Sequence, residues 1–430
     1  MHHLKLITSP PGGPEPALTR LMRLPRLTVT ATITPLGWGR KDGTMDFEMP
    51  AEVLEFRTQV QDFIAAHRTP ELDAEIAEHH IHGYGPAAQA FMQAMAREGL
   101  AAVAWPEEYG GQGKGALYLW ALAEECSREG VPFDTLTFIS VGPSIMRNGT
   151  EEQKQAILPK VLTGEINFAL GYTEPNAGTD LASLQTRATR DGDEWVINGQ
   201  KIYTSSAHLA THVWLAARSE PEAPKHRGIS TFVLPLNTPG ITVRPLWVMG
   251  EGRTNETFYE DVRIPADSLI GEENRGWYIV SGALDLERVA IGTYRPLEKT
   301  VEDLLSHIKA ERPELQGDAF ARQAVADALM RVEVARALAT NNAAMVHSGL
   351  IPTMEASMGK VWTSDSRERI NDAFMDLLGR TGGMQVDSEG APLDGELEAA
   401  WRSAPPGRFG GGTNDIQRRI IASRGLGLPR

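Results

Sequence analysis

The chain has 430 residues, a length that accommodates two or three domains. Forty-two basic residues stand against fifty-six acidic ones, a formal charge of −14, which excludes the basic excess of a general nucleic-acid binder. No apolar run reaches the roughly 18 residues of a membrane span, and the lone Cys126 excludes an internal disulfide framework and every Cys-x-x-Cys metal or redox motif.

Residues 1–44 differ from the rest. Pro and Thr are frequent, Arg20, Arg23 and Arg26 cluster, and the acids are Glu15 and Asp42. Such a leader reads as a targeting presequence, which would send the protein to a mitochondrial matrix. The reading we prefer is an over-called start, with Met45 as the true one and a cytoplasmic protein; a reducing compartment suits a single thiol.

From Ala51 to Ala66, apolar residues at Val53, Phe56, Val60, Phe63 and Ile64 carry a helical spacing. Ala87–Arg97, Ala116–Arg128 and Thr150–Leu162 are predicted as further helices, the last opened by a capping box, Thr150-Glu151-Glu152-Gln153. Cys126 falls in the apolar pattern of its helix, an inert position with nothing nearby to lower its pKa. His79, His80 and His82 lack a partner cluster and read as a solvated helix end, not a metal site. From Ile166 the pattern changes. Glu194–Ile197 and Lys201–Tyr203 flank Asn198-Gly199, a strong hairpin signal. His212–Ala217, Ser230–Leu236, Ile241–Leu246 and Thr257–Val262 read as more strands of a small barrel or sandwich. After Gly276, Trp277–Ala290, Ala319–Leu338 and Met354–Leu378 are the long helical candidates. Helices, strands and helices again indicate three consecutive units. No P-loop, Gly-x-Gly-x-x-Gly, His-Glu-x-x-His or Gly-x-Ser-x-Gly occurs, so hydrolase and metalloenzyme readings have no foothold.

The stretch Gly171 to Asp180 carries the chemistry. It places small hydroxyls, glycines and free amides on one turn after an apolar segment, Ile166–Leu170. Pro175 stiffens the turn, Gly178 permits close approach, and Thr173 and Thr179 can donate from hydroxyls. That suits the edge of a planar, electron-poor ring; the residues alone favour an ordinary polar turn after a strand.

Thr173-Glu174-Pro175-Asn176-Ala177-Gly178-Thr179-Asp180 resembles the flavin-binding signature of the acyl-CoA dehydrogenase family. Trp105-Pro106-Glu107-Glu108-Tyr109-Gly110-Gly111 is similar to the family's N-terminal signature, and Asn198-Gly199-Gln200-Lys201-Ile202-Tyr203-Thr204-Ser205 to its mid-chain hairpin. Glu260-Asp261-Val262-Arg263-Ile264-Pro265 is similar to its domain-exit strand. Gly412-Thr413-Asn414-Asp415-Ile416-Gln417-Arg418 is similar to its C-terminal signature. The five matches come in family order and the resemblance runs from Met45 to Arg430. It implies a mainly α fold with a central β domain: an N-terminal helical domain at 45–165, a middle β-barrel at 166–275 and a C-terminal four-helix bundle at 276–430. It implies FAD as cofactor, an acyl-CoA substrate, a trans-2-enoyl-CoA product, and an electron-transfer flavoprotein as acceptor. The assembly implied is a homo- or heterotetramer, or a dimer.

Residue roles follow from the same resemblance. Tyr172, Thr173, Gly178 and Thr179 are expected along the isoalloxazine, and Tyr203, Thr204 and Ser205 at its other edge, with Tyr203 where many members have Trp. Thr413 and Asp415 are expected at the phosphate or adenosine portion. Many members carry the catalytic base as Glu in Tyr-Glu-Gly-Thr. Here Gly410-Gly411-Gly412-Thr413 leaves that position to Gly411, which retains an N–H for the thioester carbonyl but no side chain. Isovaleryl-CoA members instead carry the base in Leu-Asp-Leu-Glu-Arg, and Leu284-Asp285-Leu286-Glu287-Arg288 matches it residue for residue. Glu287 is the expected base, with Asp285 and Arg288 near the acyl-CoA. A base must reach the α-proton, and a shielded carboxylate can be tuned for it. Two elements depart from the family. Its Arg-x-x-Phe-Gly is not evident between His307 and Asp318, and its Gln-x-x-Gly-Gly reads Asp376-Leu377-Leu378-Gly379-Arg380. The alternatives are a flavin monooxygenase or oxidase of the same fold, or a non-catalytic companion subunit of a heterotetramer.

Overall fold

The computed structural model describes residues 49–78, 85–249, 252–291, 293–386 and 388–429, with the side chains of 284–291 outside that description. The leader and the histidines at 79, 80 and 82 therefore lie outside the described residues. The first layer is helical: α1 (Ala51–His67), α2 (Pro70–Glu78), α3 (Pro86–Arg97), α4 (Ala116–Glu129), a π-helical turn (Leu136–Val141), α5 (Gly142–Asn148) and α6 (Glu151–Leu162). The capping box at α6 forms: Gln153 N–H donates to Thr150 Oγ1 at 3.3 Å, and Thr150 N–H to Gln153 Oε1 at 2.9 Å. Cys126 is buried, and burial pushes its thiol well up, so it stays protonated and inert.

Eight strands follow: β1 (Phe168–Gly171), β2 (Arg187–Asp191), β3 (Glu194–Ile202), β4 (His212–Arg218), β5 (Ile229–Pro235), β6 (Ile241–Trp247), β7 (Arg253–Pro265) and β8 (Leu269–Ile270). They pair in the order β6-β7-β3-β2-β4-β5-β8, with β1 parallel to β4. Period-two alternation splits the strands between two cores. Val213, Leu215 and Ala217 of β4 pack with Phe232 and Leu234 inside the sheet, while Trp214, Ala216 and Val233 join the helical core.

One expectation fails here. Asn198-Gly199 is not a hairpin turn: β3 runs through it, and the register against β7 shifts between Ile197 and Gly199. Asn198 is engaged across strands, its Nδ2 donating to Asp261 Oδ1 at 3.0 Å and its Oδ1 accepting from Asp261 N–H at 2.9 Å. Gly199 has φ +151, and a Cβ there would meet the Thr186 backbone at 2.7 Å, so the glycine serves a bulge. The turn lies earlier, at Gly192 (φ +61), between β2 and β3.

The chain then returns to helix: α7 (Gly276–Ile291), α8 (Arg295–Glu311), α9 (Ala319–His347), α10 (Thr353–Leu378), α11 (Glu396–Arg402) and α12 (Asn414–Ile420). Helix α8 was not among the expected elements, although Leu297, Val301, Leu304, Leu305 and Ile308 give it a clear buried stripe. Helix α7 packs on β4 and β5 on one side and on α10 on another, so it joins the sheet to the bundle. No described helix is long and apolar enough to cross a membrane.

Candidate active site

The loop after β1 is held by a buried ion pair. Lys201 Nζ, on β3, donates to Glu174 Oε1 at 2.8 Å and to the Tyr172 carbonyl at 3.1 Å. Glu174 also accepts from the Gln185 N–H at 2.6 Å and the Thr186 N–H at 2.8 Å. Burial alone would raise the Glu174 carboxyl, yet Lys201 and these donors outweigh it and hold the carboxyl low. For Lys201, fully buried, burial outweighs Glu174 and brings the ammonium down to about 8.

This clamp brings two of the expected groups together. The Ile202 N–H donates to the Thr173 carbonyl at 2.9 Å, so Tyr172 and Thr173 lie beside Ile202 and Tyr203. The Tyr172 phenol is buried and accepts from Trp214 Nε1 at 2.8 Å. Thr173 is half-buried; Gly178 and Thr179 are exposed. Tyr203 is 59% exposed and has φ +58, a left-handed conformation rare for an aromatic residue. The Thr204 hydroxyl is buried against Thr257 at 3.2 Å, and Ser205 reaches Thr254 at 3.2 Å. Asn255 closes the loop, exchanging bonds with the Thr204 backbone at 2.9 and 3.0 Å.

The third expected group sits on the C-terminal bundle. Gly411 and Gly412 have φ of +65 and +89. Gln417 Nε2 donates back to both carbonyls, at 3.0 and 3.2 Å. Thr413 caps α12 by accepting from the Ile416 N–H. Asn414, buried, accepts from Lys360 Nζ at 2.7 Å and donates to Asp365 Oδ1 at 2.9 Å, tying the turn to α10. The Asp415 side chain is 95% exposed and lies 3.6 Å from Arg418. No described contact brings Asp415 to the Tyr172–Ser205 group.

Asp285, Glu287 and Arg288 lie on α7, and their side chains fall outside the described residues. The helical period still places them on faces. Glu287 is four residues beyond Ala283 and seven beyond Val280, both nearly inaccessible. Asp285 falls on the face of Tyr278 and Gly282. A recess opens between α7 and α5, lined by Arg147, Asn148, Tyr278, Ile279, Gly282 and Ala283, with the Arg275 guanidinium 4.4 Å from the Tyr278 ring.

Sequence reading named the loop hydroxyls and left out the residues that fix them: Glu174, Lys201, Asn414 and Gln417. Their signal is a charged or amide side chain inside an otherwise apolar strand or a capped turn. The departures fall on the surface: Asp376 and Arg380 are exposed. Among the described residues no cluster of His, Cys, Asp and Glu could hold a metal.

Three family models cover the described chain. The acyl-CoA dehydrogenase N-terminal domain matches residues 50–165, the middle domain 169–262 and the C-terminal domain 274–426. The acyl-CoA dehydrogenase FadE26 of Mycobacterium tuberculosis is 37% identical over 388 residues, covering 87% of this chain and 97% of that protein. The Tcur3481–Tcur3483 steroid acyl-CoA dehydrogenase superposes with a TM-score of 0.84 at 35% identity, covering 90% of this chain and all of that one. A chain of the ChsE4–ChsE5 complex from Mycobacterium tuberculosis does so with 0.83 at 36% identity, covering 90% and 100%.

Proposed function

The chain belongs to the acyl-CoA dehydrogenase family, oxidoreductases acting on CH–CH groups, and within it we propose that it is an FAD-dependent dehydrogenase using Glu287 as its base. The observation that carries this reading is the pairing of a side-chain-free Gly411 with Glu287 on α7, the helix that joins the sheet to the bundle. Fit to FAD is supported by the clamped loop. Gly178 and Thr179 are exposed at its tip with their amides unspent among the described residues, and Tyr203, which follows the Ile202 bonded to Thr173, offers an exposed ring. When bound, FAD supplies the two-electron acceptor for the β-hydride.

The chain's own groups do the rest. Glu287 removes the α-proton of the thioester. The Gly411 N–H donates to its carbonyl, stabilising the enolate-like charge that grows as the proton leaves. Loss of both hydrogens gives a trans-2-enoyl-CoA. Tyr172, Thr173, Gly178, Thr179, Tyr203, Thr204 and Ser205 would hold the flavin ring. Thr413 holds the turn toward the phosphates, and Asp415, on the surface, is the weakest member of the set. Asp285 and Arg288 meet the pantetheine arm. Tyr278 is about 13 Å from Glu287 along the helix, and we assign the nucleotide end to the Arg275–Tyr278 stack and Arg147.

A second chain belongs in this reading. The exposed Asp376 and Arg380 stand where the family reaches a neighbour's cofactor, and two similar structures are two-chain complexes. We therefore place this chain in a heteromer, with an electron-transfer flavoprotein as acceptor.

Anaerobic mixing with a panel of acyl-CoA thioesters tests the reading, with a steroid side-chain thioester included. Flavin bleaching by one of them supports dehydrogenation. Rapid return of the flavin colour when oxygen is admitted, with hydrogen peroxide formed, supports the oxidase alternative, and no bleaching in any assembly supports the companion-subunit alternative. Glu287→Gln is expected to abolish bleaching with FAD still bound.

A further inference from the structure

The corner between α7 and α8 is three residues long and is fastened to α4, far away in sequence. Arg295 opens α8. Its Nη2 donates to Glu125 Oε1 at 2.5 Å and its Nη1 to Glu298 Oε2 at 2.7 Å. Arg57 of α1 donates to the same Glu125 oxygen at 3.1 Å, and Gln61 Nε2 to the other at 2.8 Å. The Glu125 side chain is 1% exposed and that of Arg295 15%. Beside them Tyr294 is buried, and the Thr293 hydroxyl lies 3.4 Å from that of Ser127 on α4. Glu124 is also fully buried. Burial outweighs Arg57 and Arg295 and pushes its carboxyl up to about 8, so at neutral pH it is largely protonated and Glu125 is the acid that both arginines share.

We propose that Arg295, gripped by Glu125, is a positioning residue for the reaction: it fixes the C-terminal end of α7 against α4 and thereby sets where Glu287 stands. What α7 does rests on the dehydrogenase reading; that Arg295 fixes it does not. Glu287 lies four residues before the end of α7, and Arg295 opens α8 after the three-residue corner. At its other end α7 is already tied to the sheet, where the Asn274 N–H donates to Ser230 Oγ at 2.8 Å just before the helix. Packing on β4, β5 and α10 seats the helix along its length, and the corner fixes its C-terminal end. A charge-assisted fork holds direction as well as distance, which an ammonium does not. A displacement of 1 Å at a reacting group can cost about 10²-fold in rate.

The test compares Arg295→Met, Arg295→Lys and Glu125→Gln in the full-length, FAD-loaded protein with any partner subunit present. Hydrogen exchange of the amides at 284–294 is expected to accelerate about tenfold or more in Arg295→Met and Glu125→Gln, and less in Arg295→Lys. The rate of flavin reduction by a thioester is expected to fall about 10- to 100-fold with KM little changed, and Arg295→Lys to recover part of it. Unchanged exchange in all three variants overturns the proposal, as does faster exchange with an undiminished reduction rate. Should Arg295→Met not fold, the other two variants decide by the same criteria. Should no thioester reduce the unsubstituted protein, the dehydrogenase reading fails, while exchange alone decides whether Arg295 holds the helix.

Discussion

Lys201 Nζ and Glu174 Oε1 lie 2.8 Å apart with side-chain exposures of 0% and 8%, and this pair fastens the loop at the end of β1 to the C-terminal end of β3. The two charges come from different signature stretches, and neither residue was expected to touch a ligand. A buried pair broken on one side leaves the other charge stranded, at a cost of about 3–5 kcal/mol. Lys201→Met is expected to lose stability of that order and to purify with less FAD. Glu174→Gln combined with Lys201→Met is expected to recover part of the loss. Denaturant unfolding of the single and double variants, with flavin absorbance per chain, checks both.

Gly412 is the second hinge of the site. Its φ of +89 is left-handed, and a Cβ there would come within 2.8 Å of Gln417 Nε2. An L side chain costs ~1–2 kcal/mol in that conformation, and Gln417 must leave the carbonyls of Gly411 and Gly412. Gly412→Ala is expected to destabilise the protein by about that amount. It also moves the Gly411 amide, so reduction by thioester slows more than FAD content falls. Stopped-flow reduction alongside a thermal melt separates the two effects.

Most of the fold was legible because its periods are clean. The stripe Val53, Phe56, Val60, Phe63 and Ile64 is buried as read, and β4 alternates between two cores. The Asn198-Gly199 error has a physical source. The dipeptide favours left-handed and extended glycine conformations, and a bulge uses these as readily as a two-residue turn does. What decides is a partner 63 residues away, Asp261, which no local pattern contains. The same holds at the site. The hydroxyls of Thr204 and Thr413 looked free in the sequence, yet Thr257 takes one and a helix N-terminus the other.

Asn414 ties the C-terminal turn to α10. It accepts from the buried Lys360 and bonds Ser364 and Asp365. Hydrogen bonds to charged groups contribute about 1.5–3 kcal/mol. Asn414→Ala is expected to lose stability in that range. Asn414→Asp, which keeps the acceptor for Lys360 but loses the donor to Asp365 and sets two carboxylates together, is expected to do no better. Urea unfolding of the two variants measures it.

Glu124 sets a pH dependence whose sign can be worked out. Its carboxyl is raised by burial from 4.5 to about 8 in the folded protein. Between those values the folded state binds more protons than the unfolded one, so stability falls as pH rises and levels off above about 8. At pH near 4.5 and below, both states hold the proton and the group contributes no slope. Glu124→Gln keeps the shape and cannot ionise. It is expected to match the unsubstituted protein near pH 4.5 and to exceed it increasingly toward pH 8, with the gap constant beyond. Unfolding curves at half-unit steps from pH 5 to 9 test this, and two parallel profiles would show that Glu124 titrates alike in both states.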